Sequence, residues 1–428
     1  MTVIRNILLE TGYTWHDSGQ VSTDTSLFTI TSENDLIIAI TPQEGMVAAT
    51  QDEQDGRGLL AIPPTAEYHV HLDKGHFGGP WEAVVPVAGG TQGRIAEEQG
   101  FLEEYLEYLP DRAAALMEYM GSFGTTFMRI QVNVDPVIGL QNYEIVNEVL
   151  HAHASRMSGE LVAFPQHGTL ATESQGLLTQ ALEAGAPILG ALDPASIDGD
   201  IEASLTTTFN LASSFDREID IHLHDGGETG IYTIQRIIDY TCDYEMRGRV
   251  AISHAFALGQ TDDQTVASLA AGLAEQDIPI FTTQPLWHAA SMGARAVPWR
   301  ILADAGVRVQ VTTDTINDHW SPFGSGDLLK HASRTAEIWW QVDEISLATT
   351  YQMVSNGVLP LSSSGEMLWP MIGDEATMIL TDASCLSEAV ARVPKERTMI
   401  IRGQMDSAPL ARRPLNSSGK IRAMRLPV

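Results

Sequence analysis

The chain is poor in cysteine: Cys242 and Cys385 are the only two in 428 residues, and they stand far apart. So few thiols exclude a disulfide-stapled scaffold and suit a reducing cytoplasm. Long apolar runs are also missing. No stretch of about 18 apolar residues occurs, so no membrane span is expected. The first ten residues lack the apolar core of a secretory signal. Basic residues are scarce, with 25 Lys and Arg against 55 Asp and Glu, a formal net charge of −30. Such a surface repels phosphate backbones, so nucleic acid is not an expected partner. The acidic residues are scattered and read as a solvated surface that favours solubility. Gly78-Gly79 and Gly89-Gly90 have no phosphate-binding strand–loop–helix context, so they read as loop hinges. No internal repeat is evident.

What is present is an alternation. Short apolar runs occupy residues 60–63, 125–134, 161–165, 186–192, 219–223, 249–253, 278–283 and 307–313. Amphipathic segments at 112–120, 177–184, 201–215, 232–244 and 265–275 lie between them. Eight strands with intervening helices predict an α/β fold, a (β/α)8 barrel over residues 61–369. The flanks differ. Segments 4–9, 27–31, 35–41, 375–380 and 397–402 read as short strands. Both chain ends, 1–60 and 370–428, are therefore expected in one small β domain, with 416–419 as a turn or tail. Trp339-Trp340 follows a helical stretch and reads as core or as contact in a homo-oligomer.

The most informative stretch is His69-Val-His71, at the end of a buried strand expected over 59–68. Side chains two apart on a strand share a side, so both imidazoles can grip one metal ion. His151-Ala-His153 has the same spacing but lies in a segment of helical periodicity. On a helix, positions two apart point about 200° away from each other, so this pair reads as ordinary helix residues.

Each apolar run ends in polar residues: after His69 and His71 come Gln131 and Asn133, Gln166, Asp193, His222 and His224, His254, Gln284 and Asp314. Barrel enzymes build their sites at these C-terminal strand ends. His222 supplies a third metal ligand and Asp314 a fourth, a donor set that suits one Zn2+ or Fe2+. His224 falls to the substrate, because a further imidazole on the metal would crowd it. His254 is a candidate base, since histidine exchanges protons near neutral pH. A metal-dependent hydrolase follows, because a bound metal makes water reactive at neutral pH.

The segments His69-Val-His-Leu-Asp-Lys74, Ala163-Phe-Pro-Gln166, Gly190-Ala-Leu-Asp-Pro194, Asp220-Ile-His-Leu-His-Asp225, Ser253-His-Ala255 and Asp314–Gly324 occur in this order over about residues 60–330. In that combination the sequence resembles the amidohydrolase superfamily, in the branch of cytosine deaminases and N-isopropylammelide isopropylaminohydrolase. The resemblance implies a single-metal site held by His69, His71, His222 and Asp314, with His254 as the catalytic histidine. Asp314 would take the proton of the attacking water and pass it towards the leaving amine. Lys74, Gln166, Asp193, His224 and Trp320 match positions that line the substrate pocket. No lysine ends the fourth strand, where Asp193 stands, so a carboxylated-lysine bridge between two metals is not expected.

Some positions depart from the family pattern. Asp225 stands where cytosine deaminases carry a proton-shuttling glutamate, and Thr315 where they carry an aspartate. Gln131 and Asn133 replace the more usual histidine and aspartate of the second strand. Cytosine is therefore expected to be a poor substrate. The expected reaction is cleavage of a non-peptide C–N bond, releasing ammonia or an alkylamine from a small nitrogen heterocycle such as a pyrimidine or triazine. The alternatives are an amidase acting on a linear or cyclic amide and a metal-binding barrel without turnover. His76, His167, His288 and His319 lie near strand ends and read as loop histidines.

Overall fold

The structure is a computed structural model that describes residues 1–79, 81, 83–283 and 295–406. Gln284, His288 and the expected turn or tail at 416–419 lie outside the described residues. Sixteen strands are described, in two eight-stranded sheets.

One sheet draws on both chain ends. Its strands are β1 (Thr2–Trp15), β2 (Val21–Glu33), β3 (Leu36–Pro42), β4 (Gln54–Asp55) and β5 (Leu60–Ile62) from the first part of the chain. β14 (Met378–Thr381), β15 (Arg397–Ile401) and β16 (Gln404–Met405) come from the last. The order is β16-β15-β14-β5-β1-β2-β3, with β4 also on β1. Its core is a cluster of Ile4, Ile7, Leu9, Ile30, Ile37, Trp369, Met378, Leu380 and Ile400. Buried positions on β1 step from Ile4 to Ile7 because the register shifts between them, where Asn6 adopts φ 57°. Asparagine tolerates that left-handed geometry, and the bulge returns the apolar side chains to the core.

The second sheet is the barrel. Its strands are β6 (Thr65–His71), β7 (Thr125–Val134), β8 (Ser158–Pro165), β9 (Ile188–Leu192), β10 (Glu218–Leu223), β11 (Val250–His254), β12 (Ile280–Thr282) and β13 (Val309–Val311). They neighbour one another in sequence order. A parallel bridge between Val70 and Asp314 joins the last strand's end to the first. In it Asp314 donates its N–H to the His69 carbonyl at 2.9 Å, and His71 donates to the Asp314 carbonyl at 2.8 Å. Among the described residues no helix is long and apolar enough to cross a membrane.

The first barrel strand differs from expectation. Residues 60–62 form β5, which pairs antiparallel with β14 in the other sheet. Pro63 and Pro64 donate no backbone hydrogen bond, so the ladder breaks there and the barrel strand starts at Thr65. The compact units also divide elsewhere than at residue 370. The described residues from Asp327 to Asp406 group with Met1–Ala66 and Tyr119–Thr126. Buried contacts explain this. Arg397 makes a bidentate pair with Asp327 at 2.7 and 2.9 Å, and the Tyr351 hydroxyl donates to the Pro63 carbonyl at 2.6 Å. Trp339 caps the helix Leu328–Ile338, and Trp340 beyond it is 79% exposed.

Candidate active site

Strand alternation builds the site in layers. On β6, residues 67, 69 and 71 share one face; on β10, residues 220 and 222 do, with His224 just beyond its end. Glu67 and Asp220 lie deepest, fully buried, one step below His69 and His222.

His69, His71 and Asp314 each offer a ligand atom within 4.8 Å of the others. The Nε2 atoms of His69 and His71 lie 3.5 and 3.7 Å from Asp314 Oδ1. His222 Nε2 lies 3.4 Å from His71 Nε2. Nitrogens about 2.0–2.1 Å from a tetrahedral Zn2+ stand roughly 3.3 Å apart, so the spacing fits one small cation. His69 Nε2 is buried without a hydrogen-bond partner, as a ligand atom held for a metal would be. Burial pushes His71 and His222 well below the usual histidine range, aided by Lys74 for His71 and by His69 for His222. Both imidazoles are thus neutral, the form that binds metals.

A chain of hydrogen bonds orients His69. Ser253 Oγ donates to Asp220 Oδ1 at 2.6 Å and lies 2.8 Å from His69 Nδ1. With its proton given to Asp220, Ser253 Oγ accepts from His69 Nδ1–H, which leaves the Nε2 lone pair facing Asp314. Asp220 is countered by Arg129 at 3.6 Å and meets the Gln131 amide at 3.3 Å. Glu67 accepts the backbone N–H groups of His69 and Thr313, and burial pushes its carboxyl up to about 8.

His254 ends β11 with its ring centroid 4.6 Å from His69 and stacked 4.2 Å from His224. Its nitrogens also fall within 4.8 Å of those of His69 and His222. His254, Asp193 and Asp314 have φ of 71°, 38° and 66°, a left-handed geometry that turns the chain sharply at three strand ends. Gly324 is forced by the same turn region: it has φ 110°, and a Cβ there would stand 2.3 Å from the Thr315 carbonyl.

The expected pocket residues fall in two groups. Asp193 accepts from the backbone N–H groups of His224 and Asp225 and lies 2.9 Å from His224 Nδ1. This carboxylate raises His224 against the opposing effect of burial. Asp225 gives both oxygens to the backbone N–H groups of Ala195 and Ser196. In the other group, the Lys74 ammonium donates to Gln166 Oε1 at 2.6 Å and stands 5.8 Å from the Trp320 ring.

That second group surrounds a residue without any sequence signal, Glu98. It lies in the helix Gly90–Gln99, is 1% exposed, and accepts from Trp320 Nε1 at 3.0 Å. Ser253 and Glu67 were likewise not singled out as site residues by sequence. Of the loop histidines, His76 meets the Tyr105 hydroxyl and His167 meets Asp135, each at 2.7 Å, and His319 meets Glu98. His151 and His153 sit at the end of the helix Gln141–Ala152, each with Nδ1 on a carbonyl one turn earlier.

The amidohydrolase family profile matches residues 86–398. The chain is 38% identical over 402 residues to the uncharacterized protein YahJ of Escherichia coli (strain K12), covering 94% of this chain and 86% of that one. It is 29% identical over 315 residues to N-isopropylammelide isopropyl amidohydrolase of Pseudomonas sp. (strain ADP), covering 72% of this chain and 75% of that one. The crystal structure of N-isopropylammelide isopropylaminohydrolase from Burkholderia multivorans superposes with a TM-score of 0.79 at 30% identity, over 95% of this chain and 98% of that one. The chain belongs to the amidohydrolase family, hydrolases of C–N bonds other than peptide bonds.

Proposed function

We propose that the protein is a single-metal hydrolase that releases ammonia or an alkylamine from a small nitrogen heterocycle. The observation that carries this reading is the cluster of three buried imidazoles and Asp314 at tetrahedral spacing, one strand end from a wall of buried donors and acceptors. His69, His71, His222 and Asp314 would hold one Zn2+ or Fe2+. The bound ion supplies a Lewis acid that lowers the pKa of water.

The rest falls to the protein. Asp314 is the most open of the four ligands, 30% exposed at its side chain, and takes the proton that the attacking water loses. The water oxygen forms the new bond to the ring carbon, and the bond from that carbon to the exocyclic nitrogen breaks. The nitrogen leaves carrying the proton from Asp314. His254, stacked on His224, assists as a general base that polarises the water while its proton passes to Asp314. Lys74, Gln166 and Trp320 as one group, with Asp193 and His224 as another, suit a flat ring bearing carbonyl and N–H groups. A ring that leaves one of these buried groups unmatched loses about 1–3 kcal/mol. Asp225, with both oxygens on backbone amides, is placed to shape the loop and not to shuttle protons. This supports the reading of cytosine as a poor substrate.

Free Cys242 and Cys385 suit a cytoplasmic location, which belongs to the same proposal. The test is an amine-release screen over pterins, pyrimidines, purines and triazines, with open-chain amides as the contrast. Turnover confined to the open-chain amides would overturn the heterocycle assignment.

A further inference from the structure

Glu98 stands among four donors from different parts of the barrel unit. Trp320 Nε1 lies at 3.0 Å, His319 Nε2 at 3.1 Å, Asn133 Nδ2 at 3.3 Å and Lys74 Nζ at 3.4 Å. Trp320 and His319 come from the loop after β13, Asn133 from the end of β7, and Lys74 from just beyond β6. The helix Gly90–Gln99 inserts one carboxylate where these three meet. A charge this deep costs several kcal/mol to desolvate and persists only where it is fully engaged.

The tie to the reaction runs through Lys74. Its ammonium has three N–H groups. One goes to Gln166 and one faces Glu98, which leaves one uncommitted by these contacts. The Lys74 Nζ is 5.6 Å from the Phe164 ring, and that ring is 4.1 Å from His222. The ammonium therefore stands one aromatic ring away from the imidazole cluster.

We propose that Glu98 is a positioning residue for the substrate: it fixes Lys74, His319 and Trp320 as one wall and turns the remaining Lys74 N–H towards an acceptor oxygen on the ring. The substrate class narrows accordingly to heterocycles with a ring carbonyl, or its deprotonated oxygen, on the side away from the leaving amine. The inference rests on the heterocycle reading above, but its mechanics can be measured without a substrate.

The charges facing Lys74 are Glu98, Asp73 and Asp318, with His319 beside them. Burial alone would lower Lys74, and these carboxylates, Glu98 foremost, hold it above the usual lysine range. In turn burial opposes Glu98 ionisation, but Lys74 and His319 hold the carboxyl down at about 2. Glu98→Gln keeps the shape and one acceptor while removing the charge that supports the ammonium.

The experiment is a pH titration of protein carrying 13C-labelled lysine, in which only four lysines give signals. The parent should show Lys74 still protonated where the other lysines have titrated. In Glu98→Gln, Lys74 should lose its proton below the other lysines, a shift of at least a tenfold change in proton affinity. An unchanged Lys74 titration overturns the proposal. Kinetics on any heterocycle the parent turns over form the second arm. KM should rise about 10- to 100-fold, the scale of a hydrogen bond to a charged group, with kcat nearly held. A kcat loss with KM unchanged overturns it. Glu98→Asp, which keeps the charge, should recover the parent titration; if Glu98→Gln does not fold, the parent carries the test, and a Lys74 that titrates with or before the other lysines overturns the proposal. If the parent turns over no heterocycle, the substrate reading fails while the titration still decides the role of Glu98.

Discussion

Replacing Ser253 by Ala removes one oxygen and leaves the metal-facing atoms untouched. The lost hydroxyl bridges His69 Nδ1 at 2.8 Å and Asp220 Oδ1 at 2.6 Å. Without it, the Nδ1–H of His69 faces only the Gln131 Nε2 at 3.3 Å, itself a donor, and so loses its acceptor, while Asp220 keeps Gln131 at 3.3 Å and Arg129 at 3.6 Å. Both atoms are buried, so a weakened partner costs about 1–3 kcal/mol of stability. The larger effect falls on His69. The ring loses what fixes its tautomer and tilt, and outer-sphere partners of this kind are worth about 10–100-fold in metal affinity. Competition with a chromophoric chelator measures the affinity, and chemical denaturation of the metal-free protein measures the stability. The account requires both to fall. Metal affinity within twofold of the parent, with only stability lost, would show that Ser253 packs the barrel and does not orient the ligand.

Further outcomes follow from the same geometry. His254→Asn should retain its metal and lose about 10²–10⁴-fold in rate, the scale of a general base; metal loss in elemental analysis would instead make His254 a ligand, as its nearness to His69 and His222 allows. In metal-free protein, Glu67 has its carboxyl raised to about 8 by burial, so its neutral form stabilises the fold at pH below the unfolded value near 4.5. That contribution is lost as pH rises through about 8, so denaturation midpoints at pH 5 and 9 should show Glu67→Gln gaining on the parent at the higher pH. Equal pH dependence in both proteins would refute the raised value. Asp225→Asn should keep most of the rate while losing about 1 kcal/mol of stability, because one of the two side-chain oxygens that accept backbone N–H groups becomes an amide donor. A loss beyond 10²-fold in kcat would restore a proton-transfer role to that position.

Much of the barrel was legible because its strands are apolar runs with polar ends. Period two then places His69 beside His71. Residues 151 and 153 lie on the helix Gln141–Ala152 and its C-cap, where the helical period sets them apart. The first strand was misread because an apolar run does not show where the ladder breaks. Pro63 and Pro64 were the available signal. Residues 327–369 were drawn with the barrel because amphipathic helices look alike wherever they pack. The Arg397–Asp327 pair within that unit joins residues 70 apart in sequence, a contact that no local pattern shows. Glu98 was invisible for a similar reason. In Arg94-Ile-Ala-Glu-Glu-Gln99 it reads as one of two acidic residues on a solvated helix, and only tertiary packing separates buried Glu98 from its neighbour Glu97. Ser253 lies inside a recognised segment, but its role depends on the barrel bringing His69 of β6 and Asp220 of β10 to its hydroxyl.

The central claim is a metal-dependent release of amine from a ring, and one titration tests it most directly. Metal-stripped protein is supplied with Zn2+ or Fe2+ in substoichiometric steps while amine release from an oxo- and amino-substituted heterocycle is followed. The account predicts no release without metal and a linear rise that breaks at about one ion per chain, matching the single four-ligand site. Release that persists after complete removal of metal, or a break at two ions, would contradict it.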